Sequence, residues 1–241
     1  MKSVFEELDW QQTPLGEISL RKRSEPRLDH KIIYEVKLGD EFLMSSLFVE
    51  AEEQLAALGL AKLKSNGHGA ALQVIVGGLG LGYTALSALQ DSSVARVRTI
   101  DVMGPVIDWH QRGLLPIGDV LATDPRSSLI EGDFFALATD PRSGFCDDDP
   151  VHAVLLDIDH SPSHWLKQGN QSFYNATALT AMATKIVSGG VFGLWSNELP
   201  DQRFIELLRE VFDQVEAEVV RFDNPYSGGE STNSVYLCSA R

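Results

Sequence analysis

Residues Val74 to Leu89, VIVGGLGLGYTALSAL, demand a sharp reversal between a strand and a helix, and few architectures accommodate one. An apolar run of strand length flows into Gly77-Gly78-Leu79-Gly80-Leu81-Gly82, and a helical pattern follows. Glycine lets the backbone turn where a side chain would clash, so a bulky ligand can lie against main-chain N–H groups at the helix start. Read as Gly78-x-Gly80-x-Gly82, the spacing is one residue tighter than the G-x-G-x-x-G of dinucleotide-binding turns. Taken alone, it fits either a cofactor loop or a tight turn without a ligand.

Downstream, strand-like runs alternate with helical ones. The strands are expected at Ala71 to Val76, Val97 to Val102, Ser128 to Glu131, Val151 to Ile158 and Gly190 to Trp195, and the helices at 82–90, 104–112, 171–187 and 201–213. Such alternation predicts a parallel sheet with helices on both faces. Val215 to Phe222 and Asn233 to Ser239, joined by the turn-rich Asn224-Pro225-Tyr226-Ser227-Gly228-Gly229, predict a terminal antiparallel hairpin. The first 50 residues differ: Glu17 to Lys22, Lys31 to Lys37 and Glu41 to Ser46 predict a small antiparallel sheet, followed by a helix from Glu50 to Lys64. The expected organisation is a β-rich unit over 1–50 and a Rossmann-like α/β unit over 51–241.

Composition narrows the function classes. With 34 acidic and 20 basic residues the formal charge is −14, so the average surface repels phosphate backbones and nucleic acid is not an expected partner. An acidic field suits cationic ligands, although it also serves solubility. The two cysteines, Cys146 and Cys238, are too few and too far apart for a disulfide framework or a zinc site. With no signal peptide and no apolar run of membrane-spanning length, they predict a soluble chain in the cytoplasm, away from membranes.

In an open α/β sheet, ligands bind beyond the carboxyl ends of the strands, and acidic residues stand at three such ends. Asp101 closes the second strand, about 20 residues past the glycine turn, where a carboxylate accepts hydrogen bonds from ribose hydroxyls; capping the helix at Gly104-Pro105 is its other possible role. Asp133 follows the third, placed either to accept from an adenine amino group, with Phe134 covering the ring, or to cap the next helix. Asp157 and Asp159 end the fourth strand, in Leu155-Leu156-Asp157-Ile158-Asp159-His160-Ser161-Pro162. If the strand continues that far, alternation points both carboxylates to one mouth. There they would hold a cationic amine and take its proton; loop capping is the alternative.

His160 and His164 lie in a proline-containing loop, not on a helix, and no matching cluster elsewhere in the sequence completes a metal site, so no metal is expected. His110 reads as a helix-surface or packing residue. Ser161 lacks the G-x-S-x-G context of a nucleophile elbow, which argues against a serine hydrolase. Trp195, at the end of the fifth strand, and Tyr174 line either a pocket or the core.

With the glycine turn, Asp101, Gly132-Asp133 and Asp157 to Pro162 in this order, the chain resembles the spermidine synthase (polyamine aminopropyltransferase) family, in particular its short, divergent bacterial branch. Val106 to His110 and Phe173-Tyr174 look like that branch too, and the tight glycine spacing resembles motif I of class I S-adenosylmethionine (SAM)-dependent enzymes. The resemblance covers most of the chain. It implies a SAM-dependent methyltransferase fold, decarboxylated SAM as co-substrate, a small cationic amine such as putrescine as acceptor, and a homodimer. Carried over residue by residue, it gives the loop Gly78, Gly80 and Gly82 to the cofactor, Asp101 to its ribose, Asp133 to its adenine and Asp157 to the amine; the other candidates are Phe134 over the adenine ring, Asp159 as a second catalytic carboxylate, and His160, Tyr174 and Trp195 at the substrate.

Three departures from the family pattern stand out. Where the family has a second aspartate directly before proline, in D-x-x-D-P, this chain has His160-Ser161-Pro162, with Asp159 one position early. The Tyr-His-Glu element after the N-terminal sheet is missing, and Met44 stands where a glutamine is expected. A SAM-dependent methyltransferase and a catalytically silent binding protein on the same fold are the competing readings.

Overall fold

The computed structural model describes residues 4–142, 144–145 and 150–241; Cys146 lies outside them. Two sheets organise the chain. The first is an antiparallel meander of β1 (Phe5–Thr13), β2 (Gly16–Glu25), β3 (Lys31–Leu38) and β4 (Glu41–Ser45). Strand β1 was not expected from the sequence. It is an edge strand with no buried residue, so its FEELDWQQT carries none of the apolar alternation that marks β2 and β3.

The second sheet holds β5 (Leu72–Gly77), β6 (Val94–Asp101), β7 (Ser127–Glu131), β8 (Val151–Leu156), β9 (Ile186–Ser196), β10 (Asp213–Asn224) and β11 (Gly229–Ser239), in the order β10-β11-β9-β8-β5-β6-β7. Strands β5 to β9 pair in parallel, while β11 runs antiparallel to both β9 and β10. Both faces are covered, so the central strands β5 (LQVIVG) and β8 (VHAVLL) are almost continuously apolar. Val74 and Val76 join one hydrophobic cluster, and Ile75 between them joins the other. The chain winds outward from β5 through β6 to β7, then returns to β8 on the other side. The strand order therefore reverses between β5 and β8 and opens a crevice at their carboxyl ends.

Helices α1 (Glu50–Ser65), α2 (Tyr83–Gln90), α3 (Gly104–Gln111), α4 (Gly118–Thr123), α5 (Phe134–Thr139), α6 (Ala176–Ala183) and α7 (Gln202–Val211) complete the fold. Helices α4 and α5, six residues each, are too short to show a helical period; α4 was not expected, and α5 only as the helix that Asp133 would cap. The single helix expected over 171–187 breaks in two. A 3-10 turn over Gln168–Phe173 comes first, and Asn175 then caps α6 by accepting the Ala178 N–H at 3.0 Å. Ile186 already belongs to β9. No helix of the described residues is long and apolar enough to cross a membrane.

Two glycines seat helix α1 against the sheet. A Cβ on Gly59 would stand 2.9 Å from Leu155 Cδ2, and one on Gly193 would stand 3.0 Å from Leu55 Cδ1. The first sheet joins the same cluster through Ile18, Leu20 and Val36. Polar contacts fasten its ends. Trp109 Nε1 donates to Asp9 Oδ2 at 2.6 Å, and Tyr226, in the β10–β11 turn, accepts from Arg23 and donates to Glu25, both at 3.0 Å. Strand β4 is thereby held over the crevice.

Candidate active site

The glycine turn is woven into its neighbours by main-chain bonds. Gly78 N–H donates to the Ile100 carbonyl at 2.9 Å, and Asp157 N–H donates to the Gly77 carbonyl at 2.7 Å. Gly78 has φ +94°, and a Cβ there would run into the Asp157 carbonyl oxygen, so no side chain fits. Gly80 and Gly82 also have positive φ. Asp101 braces the turn from below, accepting the Leu79 N–H at 2.8 Å and the Met103 N–H at 2.7 Å. Burial raises its pKa and these N–H donors oppose the rise. It does not cap α3, whose N-cap is Met103.

His110 is fully buried and faces the same turn, 2.9 Å from the Gly80 carbonyl. A carbonyl only accepts, so Nε2 carries the proton, and burial lowers the imidazole pKa and keeps it neutral. The packing role expected for His110 is what the structure shows.

Two connected chambers open above this turn. The first spans about 890 Å³ of space, adjoining open solvent included. Gly78, Gly80, Asp101, Asp133, Phe134 and Asp157 are among its lining residues, and Ile18, Val36 and Leu38 of the first sheet roof it. The second, about 580 Å³, is lined by Glu52, Gly82, Tyr83, Asp157, His160 and Trp195 among others. Leu43, Met44, Gly80, Asp157, Ile158 and Leu166 line both. Met44 packs directly on the turn, its Sδ 2.9 Å from where a Gly80 Cβ would be.

Asp157 stands at the junction. Its Oδ2 accepts the buried Thr84 hydroxyl at 2.7 Å, and Thr84 is the carboxylate's one hydrogen-bond partner among the described residues. Burial pushes the Asp157 carboxyl up to about 6, against that hydrogen bond. Glu52, from the first turn of α1, shares the second chamber; burial and then the Asp157 charge push it up to about 8. Asp157 ionises first and its charge holds Glu52 protonated, so near neutral pH the two carboxyls carry about one proton between them. Among the described residues, this chamber's lining contains no Lys or Arg. Sequence reasoning missed Glu52, whose partnership with Asp157 is purely tertiary.

Asp159 was expected to be Asp157's partner, and the structure corrects this. Strand β8 ends at Leu156, so strand alternation does not carry through to residue 159. The Asp159 side chain turns into the protein, 3% exposed, and lines neither chamber. It accepts from Leu166 N–H, Asn170 Nδ2 and Tyr174 Oη, each at 2.8 Å. It is the organising centre of the 159–174 loop. Tyr174 is thereby corrected too: its hydroxyl is committed to Asp159, and it lines neither chamber.

The remaining expected residues divide more finely. Asp133 both lines the first chamber and caps α5, accepting the Ala136 N–H at 3.1 Å. Phe134 reaches the first chamber, but it is 2% exposed and stacks on Phe145 in the core, beneath Gly77; the adjacent Phe135 is the more exposed ring there. His160 lies at the rim of the second chamber, with Nε2 3.0 Å from Glu41 Oε1. Trp195 lines the same chamber, and its Nε1–H is buried without a partner among the described residues.

Neither protein-family models nor curated proteins yield a match to this sequence. Solved structures do. The spermidine synthase of Thermotoga maritima superposes with a TM-score of 0.72 at 16% identity, over 98% of this chain and 73% of that one. A spermidine synthase in complex with the transition-state analogue AdoDATO gives 0.71 at 18%, over 98% and 74%. Human methyltransferase-like protein 13 in complex with SAH gives 0.60 at 14%, over 79% and 82%. The chain therefore has the class I methyltransferase fold that spermidine synthases and SAM-dependent methyltransferases share.

Proposed function

We propose that the protein is a transferase acting on a SAM-type nucleoside, and specifically an aminopropyltransferase that uses decarboxylated SAM and a small amine. The observation that carries this reading is the acidic second chamber, which joins the first chamber, lined by the glycine turn, at Asp157. In the first chamber the glycine turn meets the nucleoside, the remaining acceptor positions of Asp101 suit the ribose hydroxyls, and Asp133 suits the adenine amino group. The second chamber sets the chemistry. Two carboxyls with about one proton between them attract an ammonium group, and among the described residues no Lys or Arg lines this chamber to pair with a carboxylate. At an effective dielectric of about 20, like charges about 4 Å apart repel by about 4 kcal/mol, which disfavours the carboxylate of SAM itself.

The reaction requires a neutral nitrogen, because an ammonium ion has no lone pair. Asp157, ionised near neutral pH, takes the proton of the bound amine. The nitrogen then forms a bond to the propyl carbon beside sulfur, the C–S bond breaks, and methylthioadenosine leaves as a neutral thioether. The sulfonium is already an activated leaving group, so the protein's contribution is alignment and electrostatics.

Titration calorimetry against SAM, decarboxylated SAM and methylthioadenosine tests the proposal. Tighter binding of the latter two is expected. Preference for SAM moves the assignment to a methyltransferase, and failure to bind any of the three removes both enzymatic readings.

A further inference from the structure

The pair His160 and His164 lacks a third ligand in the sequence, and the fold supplies one from the other sheet. Ser161 and His164 exchange two main-chain hydrogen bonds, both at 3.2 Å, which folds the loop after β8 back on itself. The two imidazoles then lie 4.9 Å apart, centre to centre. Glu41, the first residue of β4, reaches across so that its Oε1 is 3.0 Å from His160 Nε2. One ligand atom from each of Glu41, His160 and His164 lies within 4.8 Å of the others.

We propose that Glu41, His160 and His164 form a site for a divalent transition metal, with Zn²⁺ the best fit. Two imidazoles and one carboxylate match the donor preference of zinc and are a poor set for Mg²⁺ or Ca²⁺, which favour oxygen-rich shells. Metal–ligand bonds of about 2.0–2.2 Å set tetrahedral ligand atoms about 3.4 Å apart. The present separations need to close by little more than about 1 Å. Glu41 and His164 are exposed and His160 is half-buried, so side-chain rotation alone achieves this. Three protein ligands leave the fourth position to water.

A bare surface ion pair between His160 and Glu41 accounts for one contact only. It is worth about 0–1 kcal/mol and gives no reason for a second imidazole beside the first. The metal would span the two sheets. Strand β4 carries Glu41 together with Leu43 and Met44, which line both chambers, and His160 lines the second. Occupancy would fasten β4 to the loop after β8 and set a positive charge at the mouth of an otherwise acidic chamber. The site stands whether or not the protein is an aminopropyltransferase, since its test reads metal binding.

That test is calorimetric titration of Zn²⁺ into the untagged, chelator-treated chain and its variants. One Zn²⁺ per chain is expected for the unaltered protein, with binding lost in His164→Ala and His164→Gln and weakened roughly tenfold or more in Glu41→Gln. His68→Ala, which alters the separate His68–His152 pair, is expected to bind as the unaltered protein does. His164 is exposed, so its variants are expected to keep the circular dichroism and melting temperature of the metal-free chain. Absence of zinc binding by the unaltered chain, or full retention in the folded His164 variants, overturns the proposal.

Discussion

Asp157 and Asp159 are two residues apart at the end of one strand, yet their surroundings are opposite. Around Asp159 the 159–174 loop supplies three donors at 2.8 Å, and the carboxylate is spent on holding that loop. Around Asp157 there is one hydroxyl donor, a buried setting and a second carboxyl. A buried carboxylate with its acceptor positions filled is architecture; one left short of donors retains affinity for a proton or a cation.

The sharpest way to break this comparison is Asp157→Asn. Turnover is expected to fall about 10²–10⁴-fold, the range for loss of a general base, while calorimetric affinity for methylthioadenosine stays within about twofold. Turnover that survives the change would remove Asp157 from the chemistry. Asp159→Asn is expected to do the reverse. It weakens a buried network and lowers stability by about 1–3 kcal/mol in urea unfolding, with the amine KM of the folded enzyme unchanged. A selective rise in that KM, at unchanged stability, would put Asp159 back at the acceptor.

The third and smallest effect concerns Glu52. Glu52→Gln keeps a neutral hydrogen-bonding group where Glu52 is held protonated, so the amine KM near neutral pH is expected to rise only about two- to threefold, the size of one altered hydrogen bond. The same variant sharpens the electrostatic side of the comparison. The Glu52 pKa is raised in the folded state, so its favourable contribution is fully present below the unfolded carboxyl pKa of about 4.3 and is lost as pH rises towards about 8. Stability of the ligand-free protein should therefore decline across that window, and less steeply in Glu52→Gln. Melting curves across pH 4.5–8.5 read it directly, and equal slopes would show that Glu52 is not held protonated.

What the sequence made legible was local. The β5–α2 turn was readable because only glycine fits its backbone and the flanking periods change from strand to helix. Asp101, Asp133 and Asp157 were readable because each follows an apolar strand, where an open α/β sheet places its ligands. Glu52 was hidden for a physical reason. The first turn of α1 carries Glu50, Glu52 and Glu53, the acidic start that the helix dipole favours, so nothing local separates the half-buried Glu52 from its neighbours. The third ligand for His160 and His164 was hidden likewise, because Glu41 reaches them only when β4 folds over the crevice. Asp159 misled because alternation was extended past Leu156, where the pleat stops.

The close seat of α1 has a reach beyond packing. Gly59 lies about two turns along the helix from Glu52, on the same face, and meets Leu155, two residues before Asp157. The thickness of the layer at Gly59 and Gly193 thus gauges how near two acids may come. A methyl group at Gly59 would meet the end of the Leu155 side chain, and one at Gly193 the end of Leu55; to the extent that those side chains do not turn aside, the helix lifts, the carboxyls part and Glu52 releases its proton at lower pH. Here van der Waals contact is an acidity setting, and a substitution that looks like a problem of fit would register first as a change in titration.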